Sequence, residues 1–276
     1  MPEVVEVDIQ CVQLNEMIVG KEIKFIQPIG ESNIIRLDEL EKSIVEGSKV
    51  VDVFRNGKKI AMKIKPSTEP TADFYILETS LLMTGSYIFN NLDLGHPRVI
   101  IRFSDNDRLY YSDSRKWGFM KLYEYDDYMS NYISTAPVDV LKNSSDLIYE
   151  LVDMKEKYPE LMIKSALMNQ GHIAGLGNVY AQESLFSAGI TPHRMMKDIT
   201  VNELHRLAEA TDTLLKEAYR LGGLSMRDYF QPNGYRGQAQ LLCNVYRKKS
   251  CKSCGTLVDR VSIDGRSTYY CNHCQK

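Results

Sequence analysis

Cys251-Lys252-Ser253-Cys254 and Cys271-Asn272-His273-Cys274 bracket a C-x2-C-x16-C-x2-C spacing at the end of the chain. Four thiolates on two such knuckles form a tetrahedral set for zinc. Two disulfides are the competing reading, which an intracellular chain without a signal segment does not favour. His273 lies inside the second knuckle and is a poorer fourth ligand than Cys274. Between the knuckles, Thr256 to Tyr270 alternates loosely around Asp264-Gly265, a two-residue hairpin signal. The spacing therefore predicts a zinc-stapled β-hairpin with one structural zinc and Arg266 one residue past the turn. An arginine there offers a fork suited to a phosphate or a base edge; a solvated surface arginine is the alternative. Cys11 and Cys243 lack such partners and read as small apolar fillers.

Charge follows the same division. Residues 220–276 hold ten Lys/Arg against three Asp/Glu, a balance of +7, and the rest of the chain stands at −9. A compact basic end on an acidic body fits a polyanion-binding surface, with a merely solvated basic face as the alternative. The 276 residues are 25% charged and 43% hydrophobic, which suits one large globular domain or two ordinary ones. Disorder, collagen and coiled coil are excluded as the dominant state. No apolar run is long enough to span a membrane as a helix. The start, Met1-Pro2-Glu3-Val4-Val5-Glu6, lacks the basic-then-apolar order of a signal peptide, so a cytoplasmic protein without membrane contact is expected.

Periodicity sets the remaining organisation. Val5, Ile9 and Val12 fall at helical spacing and predict a helix over residues 3–17. Residues 20–124 show short β-rich runs, including Phe74 to Glu78 and a hairpin of Arg98–Phe103 with Arg108–Asp113. Such a succession predicts a sandwich or barrel. Helical patterns follow: Pro137 can open one helix, and residues 145–168, 178–187 and 199–220 read as helices. In the last of these, Val201, Leu204, Leu207 and Ala208 form an apolar stripe.

Two segments can carry chemistry. Methionine before a small residue such as Pro2 is normally trimmed, which leaves a secondary amine. An α-amino group has a pKa near ~7.7–8.0, so a useful fraction is neutral and nucleophilic at physiological pH. Glu3 beside it can serve as general acid and base. The plain alternative is a helix N-terminus with proline and acids in its first turn. The second segment, Gly175-Leu176-Gly177-Asn178, leads into a helix whose N-terminus can offer N–H groups to a phosphate. No strand is expected before it, and Tyr180 stands where a dinucleotide fingerprint has its third glycine. A helix–turn–helix connection with packed glycines is the alternative.

Together these residues identify a resemblance. The chain resembles the formamidopyrimidine-DNA glycosylase / endonuclease VIII family of base-excision repair enzymes nearly end to end. The Pro2-Glu3 start, Gly175 to Ala181 with Glu183-Ser184-Leu185-Phe186, and the tail Gly265 to Gln275 carry it. The resemblance implies an α+β protein: a catalytic β-sandwich with an N-terminal helix over 1–130, a helix–two-turn–helix domain over 131–240, and a zinc-finger hairpin over 241–276, with DNA between the halves. It implies that Pro2 attacks C1′ as the Schiff-base nucleophile and that Glu3 is its acid/base partner. Lys58, in Gly57-Lys58-Lys59-Ile60, is similar to the family lysine assigned to β-elimination, and Arg266 to the finger arginine assigned to δ-elimination. Asn178 is expected on phosphates beside the lesion, with Arg266 and Lys58, while His96 and Arg115 match DNA-contacting positions. Met83 and Trp117 stand where the family places residues that fill the vacated stack.

Several positions depart from the family pattern. Val5 replaces a second proline, Ser80-Leu81-Leu82 precedes the wedge methionine in place of His-Leu-Gly, and Trp117 stands where phenylalanine is common. The implied activity is excision of oxidised purines from duplex DNA by a monomer, followed by cleavage of the abasic site. A preference for oxidised pyrimidines is the alternative within the family; a non-catalytic lesion- or DNA-binding module is the alternative outside it. The expected cofactor is the one structural zinc, on Cys251, Cys254, Cys271 and Cys274.

Overall fold

Helix α1 (Val4–Ile18) starts on a reciprocal capping box between Glu3 and Glu6, whose Oε2 accepts the Glu3 N–H at 2.8 Å. Val4, Val7, Cys11, Leu14 and Ile18 recur at three- and four-residue steps and are all buried. The core stripe is therefore turned from the expected one. Val5 and Ile9 are buried as well, but Val12 is 46% exposed. The computed structural model describes residues 2–67, 74–134, 137–225 and 229–276.

The chain then runs through β1 (Ile23–Pro28), α2 (Glu39–Val45), β2 (Lys49–Asn56), β3 (Lys59–Lys65), β4 (Tyr75–Ser80), β5 (Ser86–Phe89), β6 (Pro97–Phe103), β7 (Arg108–Ser112), β8 (Phe119–Glu124) and α3 (Tyr125–Ser134). The strands make two antiparallel sheets, ordered β1-β6-β7-β5 and β2-β3-β4-β8. Ile26, Ile101 and Tyr111 of the first sheet share one apolar cluster with Val53, Ile60 and Leu77 of the second and with Leu14 of α1. This is the expected β-sandwich, with the N-terminal helix built into its core. The hairpin of β6 and β7 forms as the sequence predicts.

The backbone divides into two units: Met1–Thr135 with Gly222–Gln238, and Ala136–Leu221 with Ala239–Lys276. The sequence reading assigns residues 222–238 to the helical domain; here they pack with the first unit, on a second, polar face of α1. The Leu224 N–H donates to Glu6 Oε1 at 2.7 Å and the buried Tyr229 hydroxyl to the Glu6 carbonyl at 2.9 Å. Gln13 Nε2 donates to Gln231 Oε1 at 2.8 Å. The segment leaves and returns through glycines that pass in near contact. A Cβ on Gly237 would lie 2.1 Å from the Gly222 and Gly223 carbonyl oxygens, so only glycine fits.

The second unit holds β9 (Val138–Asp139), α4 (Leu147–Lys157), α5 (Ile163–Leu167), β10 (Ile173–Ala174), α6 (Asn178–Ala188), α7 (Val201–Arg220), β11 (Asp259–Ile263) and β12 (Arg266–Tyr270). Three expectations need correction. Pro137 opens no helix: Val138 and Asp139 pair in parallel with Ile173 and Ala174. A short strand therefore does precede the Gly175 segment. The helix expected over 145–168 is two helices, because Pro159 has no N–H to donate and disfavours helical geometry at Tyr158 (φ −130°, ψ 58°). Within α7, Leu204, Leu207, Ala208, Thr211 and Leu215 bury, while Val201 at the first position is 48% exposed.

Thr200 and Glu203 cap α7 reciprocally, and Arg194 grips Glu203 through Nη1–Oε1 at 2.6 Å and Nη2–Oε2 at 3.2 Å. The arginine hydrogen bond is the main reason the Glu203 carboxyl is held down at about 2. A depressed acid stabilises the fold above its ordinary value near 4.5 and loses that contribution as pH falls towards about 2. Glu203→Gln should therefore lower Tm by about 1–3 °C near neutrality, as partly exposed pairs of ~0.2–1 kcal/mol allow. Thermal scans of both proteins should converge as the solution is acidified through that window.

Candidate active site and nucleic-acid interface

Pro2 is buried, and Glu3 beside it is 1% exposed. One turn further along α1, Asp8 Oδ1 accepts from Arg55 Nε at 3.0 Å, and Arg55 Nη1 donates to the Gly57 carbonyl at 3.2 Å. Arg55 is 2% exposed. It therefore ties the helix carrying Pro2 and Glu3 to the two-residue β2–β3 turn that carries half-buried Lys58. Behind that turn, Lys59 Nζ and the Tyr128 hydroxyl each donate to buried Glu78 at 2.8 Å, and Asn56 Nδ2 donates to the Tyr128 oxygen at 3.0 Å. Burial, then the Glu78 charge, push the Tyr128 phenol far above the usual range, so it stays a donor. A buried carboxylate next to the chain terminus, with a lysine on a braced turn, can assist proton transfers at an attacked carbon.

A second group lies at one end of the sandwich. Met83 is 36% and Trp117 54% exposed, and the Arg115 guanidinium lies 4.8 Å from the centre of the Trp117 ring. His96 and Arg115 are exposed on the same set of loops, since the His96 carbonyl accepts the N–H of Asp113, two residues before Arg115. Trp117 is thus no core aromatic. Behind Met83 and Trp117 stand Gly85 and Gly118. A Cβ on Gly118 would fall 1.8 Å from Tyr111 Oη and 2.8 Å from the Ser80 carbonyl; one on Gly85 would fall 2.3 Å from the same hydroxyl. Tyr111 is fully buried and cannot retreat. Gly118→Ala should cost about 1–3 kcal/mol in urea unfolding, the range for overpacking, and should disorder the Trp117 loop. A variant with unchanged midpoint and unchanged tryptophan fluorescence would defeat that expectation.

In the second unit, Asn178 does not stand free above the helix start. Its Nδ2 donates to the Ser267 carbonyl at 3.1 Å. Gln182, one turn on, accepts the Tyr269 N–H at 2.6 Å. Helix α6 is laced in this way to β12, the strand that begins at exposed Arg266. Gly175 takes a φ of +95°, and its N–H and the Leu176 carbonyl both bond to Gln170. Buried Glu183 accepts the N–H groups of Asn244, Val245 and Tyr246 at 2.7, 3.1 and 2.7 Å and pins the approach to the finger. Burial raises its pKa against the pull of those three donors.

The finger forms as predicted. Ile263 pairs with Arg266 across Asp264 and Gly265, both left-handed (φ +50° and +69°), as a type I′ hairpin turn requires. The Ser165 hydroxyl donates to Asp264 Oδ2 at 2.6 Å and steadies the tip. Cys251, Cys254, Cys271 and Cys274 are unpaired thiols whose sulfurs all lie within 4.8 Å of one another. The 251–274 and 254–271 separations are 3.9 and 3.5 Å. Tetrahedral zinc with Zn–S of ~2.3 Å needs sulfur separations of about 3.8 Å, so the donor set fits one structural zinc without His273.

Sequence reasoning missed Arg55, Asp113 and Glu6. Asp113 had a readable signal, since aspartate two residues ahead of a loop N–H commonly makes an Asx-turn. The Arg55–Asp8 and Glu6–Leu224 contacts had none, because those partners are distant in sequence.

Known proteins match the whole chain. The N-terminal domain model of formamidopyrimidine-DNA glycosylase matches residues 1–120, its H2TH domain residues 140–229, and a zinc finger found in FPG and IleRS residues 248–276. Formamidopyrimidine-DNA glycosylases of Bacillus cereus and Halalkalibacterium halodurans are 31% and 33% identical, over 100% of this chain and 99% and 100% of theirs. Among solved structures, Lactococcus lactis Fpg (MutM) in complex with DNA containing N7-benzyl-Fapy-dG is similar with a TM-score of 0.84, 27% identity and full coverage of both chains. MutM (FPG) from Thermus thermophilus gives 0.84 and 26%, over 99% of this chain and 98% of that one. The Lactococcus lactis enzyme has also been solved with DNA containing an abasic site, at 0.84 and 27% over 99% of each chain.

Proposed function

Because the chain belongs to the formamidopyrimidine-DNA glycosylase family of DNA repair enzymes, bifunctional glycosylases with abasic-site lyase activity, we propose that it excises oxidised purines from duplex DNA through a Schiff base on Pro2. The observation that carries this reading is the buried Pro2-Glu3 start, braced through α1, Asp8 and Arg55 to the Lys58 turn.

The damaged nucleotide first leaves the stack, at a cost of a few kcal/mol. Met83 and Trp117 fill the gap, and Arg115 and His96 hold the strands beside it. The Pro2 lone pair attacks C1′ while the bond from C1′ to the base breaks, and the base leaves with a proton supplied within the site. Glu3 shuttles protons as the sugar ring opens and the iminium forms. Loss of a C2′ proton with departure of the 3′-phosphate is β-elimination, in which Lys58 takes part. Loss of a C4′ proton with departure of the 5′-phosphate is δ-elimination, in which Arg266 holds the leaving phosphate by its fork. Asn178 contributes by fixing β12, and through it Arg266. Zinc takes no part in the chemistry; when bound, it orders the hairpin that presents Arg266. The enzyme works as a monomer on damaged double-stranded DNA in the cytoplasm.

Borohydride trapping on duplexes carrying 8-oxoguanine, a formamidopyrimidine, thymine glycol or a pre-formed abasic site tests this. Adducts should form with the abasic site, which needs no base loss, and with both purine lesions faster than with thymine glycol. Fastest trapping on thymine glycol would move the enzyme to the oxidised-pyrimidine preference, and no adduct on any substrate would leave a binding module. At saturating enzyme, Arg266→Ala should still trap on abasic DNA but yield less δ- relative to β-product. An unchanged ratio would make Arg266 an ordinary binding residue.

A further inference from the structure

Two residues that bear side chains sit in the left-handed backbone region directly before the two wedges: Leu82 (φ +48°) before Met83, and Lys116 (φ +57°) before Trp117. Each costs about 1 kcal/mol or more, and persists only where the surroundings impose it. The carboxylate of Asp113 brackets Lys116 and reaches the Leu82 turn through Thr84. Its Oδ1 accepts the Arg115 N–H at 3.1 Å and the Thr84 hydroxyl; its Oδ2 accepts the N–H groups of Trp117 and Gly118 at 2.9 and 2.8 Å. Asp113 is 0% exposed, so it is not offered to a ligand. Its own N–H donates to the His96 carbonyl at 3.0 Å, and its carbonyl accepts from Arg98 Nε at 2.9 Å. One buried side chain, just past the end of β7 and anchored beside His96, thus joins the Met83 loop, through Thr84, to the Arg115–Trp117 loop.

We propose that Asp113 is a positioning residue that locks the Met83 and Trp117 loops into one preset wedge before DNA arrives, a role that rests on the glycosylase reading above. Burying a carboxylate is costly, and four donors offset the cost. The return is preorganisation: the entropy of ordering two loops is lost on folding and not on binding. The Thr84 hydroxyl is the only one of the four donors that belongs to the Met83 loop, so it is the coupling.

Trp117 is the only tryptophan, so its fluorescence reads the loop in the free protein. Asp113→Asn keeps the shape but turns an NH2 towards N–H donors. It should raise acrylamide quenching of Trp117 about twofold and weaken binding to a duplex with a tetrahydrofuran abasic analogue about tenfold, with undamaged duplex little affected. Thr84→Val removes only the hydroxyl and should weaken the same binding about threefold, while Thr84→Ser restores it. This pair decides the matter if Asp113→Asn fails to fold. Thr84→Val binding as well as wild type, or Thr84→Ser as weak as Thr84→Val, overturns the proposal, as does unchanged quenching in folded Asp113→Asn. A wild type that does not distinguish the analogue from undamaged duplex would instead sink the glycosylase reading, and the quenching comparison would still decide the coupling.

Discussion

Protein that keeps Met1 should form no borohydride adduct with abasic-site DNA, whereas protein beginning at Pro2 should trap efficiently. A peptide bond delocalises the nitrogen lone pair, and an amide nitrogen does not attack a sugar carbon. Inserting a bulky residue between Met1 and Pro2 blocks trimming and supplies the negative control. Pro2→Gly tests the amine itself: a primary amine forms an imine that must be protonated, whereas the secondary amine of proline forms a permanently charged iminium. Excision should fall about a thousandfold, roughly 4 kcal/mol of barrier. Mass spectrometry of the digested, trapped complex should place the sugar on Pro2. An adduct on Lys58, with full activity in Pro2→Gly, would reassign the nucleophile.

Zinc removal should have the next largest effect. The finger has little core of its own: Val245, Cys251 and Cys271 are buried, with Phe186, Val258, Tyr269 and Cys274 packed against them. So small a cluster orders a hairpin only with help, and a four-thiolate zinc site supplies about 10–16 kcal/mol of apparent binding energy in small finger peptides. Cys271→Ala should lose its zinc by atomic absorption and weaken binding to an abasic-analogue duplex about a hundredfold, roughly 3 kcal/mol. The sandwich should remain folded on its own core, with the near-ultraviolet signal of Trp117 intact. Metal-free wild type with normal affinity would contradict this account.

How much of this was legible in the sequence depends on how local each signal is. The finger was readable because thiolate spacing and Asp264-Gly265 are local rules, and both hairpins follow the same logic. The break at Tyr158-Pro159 is an equally local signal, masked by a helical periodicity that runs on through it. The tilt of the core stripe on α1 was not readable. Glu6 and Gln13 are polar and look solvated, yet Glu6 is buried and Gln13 half-buried because residues 222–238 supply their partners. Asn178 is similar. The sequence suggests a helix start open to phosphate, and the fold spends its amide on the Ser267 carbonyl.

The return of residues 222–238 to the sandwich also has a consequence for synthesis on the ribosome. The first unit is encoded in two pieces, and about a hundred residues separate Thr135 from the end of the second piece at Gln238. At ~5–20 residues per second, translation leaves that unit incomplete for about 5–20 s. During this interval Glu6 has no Leu224 N–H to accept, and the polar face of α1 is wet. The sandwich becomes fully native only after the helical unit that interrupts it has been made. A fragment ending near residue 135 should therefore be less stable than the same residues in the whole chain, and expression of the first unit alone needs residues 222–238 grafted back onto it.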